Sequence, residues 1–467
     1  MTNPILTVMC FIAFVAIWIQ AFNSPFRIVI ATYLSIQWLQ VATKVLVADF
    51  LGVDLGMEQI QNYGASNIAF VVRPMTSEAV ALGLFALALM SLGTRIFEPK
   101  FEAFRLDASN LAPLRLFVGY VLLLIVSGFA GPFVGGGLAQ PLMVLGTLRF
   151  VFVLLLLFSA VTERWGFWLL AIAIATEIVF GMTGYFAGFR DVIIVVLAGL
   201  AILVPKHWYR IKVPIAFMAV FALVIATVWT AVKMDFRQAL RGGRSQQAVT
   251  IDLAQRFDKL GGLIQTVGPK KFIDGTAMLA NRVAYVDIFA DAIGWVPGKQ
   301  PFQGGALWSE AFQVILMPRL IFTDKAPLPS DSARTMKFTG RVYASEKQGT
   351  SVSLGYVADS YVDFGIPGAL LIPLALGILY GWLSRIVVEL GGSRDLTFSL
   401  SLLVVMLFPI QEFEISNVKL LPGLLWAWLV ACAVSRLIWP ALRPYLQVGS
   451  SNTRAMSPSV ISVANAD

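Results

Sequence analysis

Charge is scarce in this chain. Of its 467 residues only 13% are Asp, Glu, Lys or Arg, while 58% are hydrophobic and the mean hydropathy is +0.78. Soluble domains carry about 25% charged residues, so a soluble domain is excluded and a polytopic membrane protein is expected. Histidine is scarcer still, with His207 the only one. That removes clustered His metal sites and Ser-His or Cys-His catalysis from consideration. The two cysteines, Cys10 and Cys432, both fall inside apolar stretches, which leaves no disulfide framework and no thiolate metal site. Chemistry has to rest on carboxylates, Arg, Lys and Tyr.

Apolar runs are what the chain has in abundance. Crossing a ~30 Å hydrocarbon core takes about 20 helical residues, and stretches of about that length occur at 4–22, 27–47, 77–94, 115–134, 142–161, 165–185, 189–205 and 213–232. After a long polar interval come 365–388, 396–411 and 418–439. The fold class expected is an all-α polytopic bundle of about eleven transmembrane helices. The first stretch lacks a basic leader and a small-residue cleavage site, so it reads as a retained helix. The organisation that follows is an N-terminal bundle (1–232), a large loop (233–353), a C-terminal group of helices (354–440) and a polar, disordered tail (441–467). Residues 48–74 are too polar to span and read as interfacial.

Orientation follows from the bias of Lys and Arg in short loops. Loops on one face hold fourteen, among them Arg95, Lys100, Lys206, Arg210 and Arg443, whereas those on the other hold only Lys44, Arg73, Arg149, Arg190 and Lys419. This places the C-terminus inside, the N-terminus outside and the 233–353 loop outside. That loop carries sixteen Lys and Arg against ten Asp and Glu, most of the chain's net +8. A basic segment beside an outer membrane face invites an anionic partner such as a lipid head group or pyrophosphate, and its placement excludes cytosolic nucleic acid.

Within the loop, Arg237, Arg241 and Arg244 share one stripe of a helix that continues the eighth span until Gly242 and Gly243. Asp274 reads as the cap of a helix from about Gly275 to Trp295, with Arg282, Tyr285, Phe289 and Ile293 on one face and Asp287 and Asp291 on another. Gly188-Phe189-Arg190-Asp191 puts ionisable groups at membrane depth. An adjacent Arg-Asp pair anchoring a helix is the plain reading, and an Arg190 that binds an anion through its fork of donors is the sharper one. Arg282 and Arg319 stand in the same position. Glu412 and Glu414 end the tenth span, either as a solvated loop or as part of a site. Asp359 sits on a helix expected from Ser351 to Phe364 that leads into the ninth, either as a surface carboxylate or as a base. The run Gly128 to Gly137 lacks the Lys-Ser/Thr ending of a phosphate loop and reads as a tight turn.

Taken together, these segments resemble the Wzy-type oligosaccharide repeat-unit polymerases of O-antigen and exopolysaccharide pathways. The likeness runs in order through Gly188-Phe189-Arg190, Asn281-Arg282, Met317-Pro318-Arg319-Leu320-Ile321-Phe322 with Lys325-Ala326-Pro327, Gly355-Tyr356-Val357-Ala358-Asp359 through Gly368, and Glu412. It covers about residues 190–415. The resemblance implies a glycosyltransferase C-like fold in a bacterial inner membrane. It further implies transfer of an oligosaccharide from one undecaprenyl pyrophosphate carrier to the sugar end of another at the outer face.

Under this reading Arg190, Arg282, Arg319 and Lys325 hold the pyrophosphate, and Arg237, Arg241 and Arg244 form a looser funnel. Asp359 or Glu412 takes the proton, Asp359 being preferred, and Tyr285 and Tyr361 contact sugar. No cofactor is implied, and the absence of an Asp-x-Asp motif in the outer loop predicts metal independence. A chain-length regulator and a flippase are the expected protein partners. An O-antigen ligase-like transferase would need an outer-loop histidine, whereas His207 falls on the inner side. A lipid-linked glycan transporter would be expected to show internal repeats and midplane sites.

Overall fold

The computed structural model describes the chain except Gln20 and residues 102–105, 107, 109, 131–138, 185–187, 242–250, 318–321, 323–329, 344–350, 392–394 and 448–467. The chain runs α1 (Pro4–Trp18), α2 (Pro25–Leu51), β1 (Gln59–Tyr63), β2 (Ile68–Val72), α3 (Thr76–Thr94), α4 (Pro113–Ala130), α5 (Ala139–Thr147), α6 (Arg149–Thr162) and α7 (Phe167–Thr183). There follow α8 (Phe189–Arg241), α9 (Leu253–Gln265), α10 (Pro269–Val283), α11 (Val286–Trp295), α12 (Ala306–Leu316) and α13 (Asp331–Thr339). Last come α14 (Tyr356–Gly391), α15 (Leu396–Met406), α16 (Asn417–Ala433) and α17 (Trp439–Leu446).

Over the described residues each apolar stretch read from the sequence is mainly helical, with 142–161 divided between α5 and α6. Seven helical segments among the described residues are long and apolar enough to cross a membrane, while α4, α7, α12 and α15 are apolar but shorter. The architecture is therefore mostly helical, with one exception in the region read as interfacial. There α2 runs on to Leu51, and β1 and β2 then pair antiparallel with Gln59 opposite Val72 and Tyr63 opposite Ile68.

Two long helices double back on themselves. Straight, α8 would put Phe189 and Trp229 about 60 Å apart at 1.5 Å per residue, yet their ring centroids are 5.8 Å apart. The reversal falls at His207, the one residue in α8 with non-helical dihedrals, between Pro205 and Pro214. Spans seven and eight are thus the two arms of one helical hairpin, and its ends meet at the same end of the bundle. In α14 the break is at Gly365, whose φ of 68° and ψ of −152° suit only glycine. The chain turns sharply enough there that a Cβ on Gly368 would collide with the Ser360 carbonyl.

The tightest interface joins α3 to α14. A Cβ on Gly93 would strike the Leu374 carbonyl, and Cβ atoms on Gly377 and Gly381 would strike those of Met90 and Thr94. Apolar burial gives little drive between helices in lipid, so close backbone approach through small residues is what holds such pairs.

Three expectations about the loop need correction. The single helix from Gly275 to Trp295 is in fact two, α10 and α11, parted at Ala284 and Tyr285, where the Ala284 ψ of 70° leaves the helical range and the Tyr285 amide donates to the Gln40 carbonyl (3.1 Å). Asp274 does not cap a helix. It lies inside α10 and accepts from the Ser66 amide and hydroxyl (2.8 and 2.7 Å), fastening the β1–β2 turn. The helix into the ninth span starts at Tyr356 rather than Ser351. The tail needs correction too, since 441–446, read as disordered, belong to α17, while 448–467, residues 131–137 of the Gly-rich run and Lys325-Ala326-Pro327 lie outside the described residues.

Candidate functional site

Where α8 begins and ends, charged groups from four segments converge. The first residues of α8 bring Arg190 and Asp191, and the 3₁₀ turn after α15, forced by Pro409, delivers Glu412 and Glu414. Arg190 Nη2 donates to Glu412 Oε1 at 2.6 Å, and its Nε lies 3.5 Å from Asp191 Oδ1. The Arg190 side chain is 47% exposed, so solvent and an incoming anion both reach it, and the ion pair itself adds little stability. Arg282, exposed at the last turn of α10, lies at electrostatic range of Glu414 and of Lys233 on the returning arm of α8, and Lys233 in turn faces Arg237.

Burial holds the Glu414 carboxyl above the usual glutamate range, with Glu412 reinforcing the shift while Arg282, Arg190 and Lys419 oppose it. Tyr285 stands at the break between α10 and α11, with its hydroxyl donating to the Ser353 carbonyl (2.6 Å). Burial raises its pKa, and Glu414 adds to the rise. The cluster therefore offers two arginines, a lysine, two glutamates and a tyrosine within electrostatic range of one another. Guanidinium forks suit phosphate oxygens, and a half-buried glutamate of raised pKa suits proton transfer.

Asp359 sits one layer beneath. It is 0% exposed, and its Oδ2 accepts from the Asn417 amide at 3.0 Å. Asn417 is the first residue of α16, so Asp359 caps that helix from another part of the chain and faces its positive dipole end. Asp363 does the same for α12, accepting from the Leu307 and Trp308 amides at 3.1 and 2.9 Å. The acids of the Asp359 to Gly368 segment thus bind two helix N-termini around the turn at Gly365. The Asp359 Oδ1 atom has no hydrogen-bond partner among the described residues and lies 3.9 Å from Arg334 Nη1.

Arg334, 7% exposed on α13, also donates to Glu310 Oε2 (2.6 Å) and Asn417 Oδ1 (3.0 Å). Replacing it with Ala should cost about 3–5 kcal/mol, because the buried Asp359 carboxyl would lose its one nearby cation among the described residues. The check is thermal unfolding in detergent. An unchanged midpoint would show that Arg334 does not hold α13 to α16.

The structure brings together Arg190, Arg282 and Glu412, with Arg237 following through Lys233. Arg241 ends α8, whereas Arg244, Arg319 and Lys325 lie outside the described residues. Tyr285 borders the cluster. Tyr361 does not, being buried between Phe289 and Phe302, with its hydroxyl donating to the Val296 carbonyl.

Residues 54–437 match the model of a family described as a domain of unknown function (DUF8712). The chain belongs to that family. No curated protein and no solved structure matches the sequence. The DUF8712 stretch begins just beyond α2 and contains Arg190, Lys233, Arg282, Asp359, Glu412 and Glu414.

Two further ionic groups within this stretch or against it escaped the sequence reading. Lys44, 1% exposed, donates to Asp287 Oδ2 (2.7 Å) and to the Val71 carbonyl, joining α2, β2 and α11. Burial raises the pKa of Asp287, and Lys44 opposes that shift. Arg149 pairs bidentately with Glu177 (2.7 and 3.1 Å), and Glu177 accepts from the Tyr120 hydroxyl (3.2 Å). The signal for the second group was available: Glu177 is a lone acid inside an apolar run.

Proposed function

We propose that this chain is a membrane-embedded glycosyltransferase that joins lipid-linked oligosaccharide repeat units at the outer face of a bacterial inner membrane. The observation that supports this reading is the convergence of Arg190, Arg282, Glu412 and Glu414, remote in sequence, into one charged cluster. The acceptor sugar hydroxyl attacks C1 of the donor sugar as the bond from C1 to the undecaprenyl pyrophosphate oxygen breaks. The hydroxyl proton passes to a carboxylate, and the departing pyrophosphate gains charge that Arg190 and Arg282 neutralise. Glu414 is better placed than Asp359 for the proton, because it is partly exposed beside Arg282 and Arg190 while Asp359 is fully buried. Glu412 orients Arg190. Arg237 and Lys233 line the approach for an anion, and Tyr285 offers a face to sugar.

Purified protein incubated with lipid-linked repeat units alone should yield a ladder of products differing by one repeat on gel electrophoresis. Unchanged single repeats from folded protein would overturn the reading. A transporter of lipid-linked glycans is the second reading, and the Arg149–Glu177–Tyr120 group inside apolar helices is the observation that favours it. Cells lacking the protein would then show no glycan at the surface rather than single-repeat glycan.

A further inference from the structure

Away from the charged cluster, a groove of about 660 Å³ runs along the bundle between α4, α6, α15 and α17. Val118 and Leu122 of α4, Val151 and Phe152 of α6, and Ile438 and Leu442 near the C-terminus form much of its wall. Val118 and Leu122 are exposed there. One wall is shaped by the π turn Val434–Ile438, which precedes Pro440 and presents both Val434 and Ile438 to the groove. Proline has no amide to give the carbonyl one turn back, which favours such a widening, and π turns recur at binding sites.

Among the described residues, the one charged side chain lining the groove is Arg115. It stands at the mouth, where α4 begins and α17 ends and the Ala112 amide donates to the Leu446 carbonyl at 2.8 Å. Arg115 Nη1 donates to the carbonyls of Tyr445 and Gln447 (both 2.8 Å). A guanidinium carries five N–H groups, so donors remain for a ligand. Arg443 of α17, two residues before Tyr445, is paired with Asp395 (3.4 Å), which leaves Arg115 as the cation that meets a head group.

We propose that this groove binds one anionic phospholipid, with an acyl chain along the apolar wall and its phosphate at Arg115. Water does not fill the groove well, because it needs two to four polar partners that this wall does not supply. A hydrocarbon chain from the surrounding bilayer suits it. The cation at the mouth selects the head group, since basic pockets between membrane helices hold anionic lipid heads and the Arg fork matches phosphate oxygens. The polyprenyl carrier fits less well. With its pyrophosphate at Arg190 and Arg282, its tail end would face Arg115 and leave that charge without a partner. The lipid therefore comes from the leaflet on the Leu446 side, and the site does not depend on the transferase reading.

Native mass spectrometry of delipidated protein titrated with dioleoylphosphatidylglycerol and dioleoylphosphatidylcholine tests the site. One phosphatidylglycerol should bind per chain with about fivefold preference, the share expected from one arginine near an anionic head. Arg115→Gln should abolish the preference while leaving chain binding in place. Val118→Trp and Leu122→Trp, each at a lipid-exposed position, should fill the groove and lose the bound lipid while keeping the wild-type melting temperature. The proposal is overturned if both Trp variants bind phosphatidylglycerol as wild type does, or if wild type binds the two lipids equally. Tighter binding of decaprenyl phosphate than of phosphatidylglycerol, lost in Val118→Trp, would assign the groove to the carrier and overturn the proposal as well.

Discussion

Exchanging Glu414 for Gln should lower repeat-unit transfer by about 10²- to 10⁴-fold, the usual worth of a positioned general base, with no loss of folded protein. The substitution keeps shape and removes basicity at a group that is only half-buried. The pH profile carries a second readout. Burial raises the Glu414 pKa, and a base works only when ionised. Activity should therefore fall as the pH drops through that raised pKa, at a higher pH than an ordinary glutamate would give. Folding responds with the opposite sign: a carboxyl whose folded pKa is raised binds its proton more tightly in the native state, so its contribution weakens as pH rises through that value. The acid limb of the activity profile should vanish in Glu414→Gln. Activity within threefold of wild type, with the limb intact, would pass the role to Glu412 or to another group. Asp359→Asn gives the contrast, because its first expected effect is on the melting temperature through the cap of α16.

Gly377→Val should abolish the folded protein. A Cβ there meets the Met90 backbone carbonyl, and backbone of a packed helix cannot swing aside as a side chain can. Overpacking usually costs about 1–3 kcal/mol, and more when neighbours cannot relax. Gly93 and Gly381 sit at the same interface under the same constraint, so no neighbouring gap takes up the strain. Gly423→Val is the control, because nothing lies within 4 Å of a Cβ at that position. Size-exclusion chromatography of detergent extracts separates the outcomes. A sharp wild-type peak for Gly377→Val would show that α3 and α14 do not approach as closely as described.

Period and length made the helices legible, since an apolar run of about 20 residues has few alternatives in a chain so poor in charge. Register between helices was not legible. Nothing in the run 189–241 announces that Phe189 and Trp229 touch, although Pro205 and Pro214 mark where the reversal falls. The break at Tyr285 was hidden because the pattern from Gly275 to Trp295 keeps one helical period across it. The hairpin of β1 and β2 was missed because Gln59 to Tyr63 is mostly polar and exposed, and its support comes from Asp274, more than two hundred residues away.

At the site, Arg190 and Glu412 were readable as charges at the ends of apolar runs, and Arg282 as a charge on an amphipathic helix of the loop. Asp359 was read from the same kind of signal, but its company of Arg334, Asn417 and Glu310 is set by tertiary packing. Arg334 offered no signal at all, being one of many charges in a polar segment.

The hairpin of α8 also fixes how deep the charged cluster can sit. From Arg190 to the tip at His207 the arm is about 26 Å long at 1.5 Å per residue, close to the thickness of a hydrocarbon core. The tip carries Lys206, Arg210 and Lys212. Dragging each of these into hydrocarbon costs about 2.5–3.5 kcal/mol on insertion scales. The tip therefore works as an anchor on one surface of the bilayer and holds Arg190 and Lys233 level with the other. Lengthening the arm by a full turn would lift Arg190 by about 5.4 Å and pull it off Glu412, which stands on a separate element.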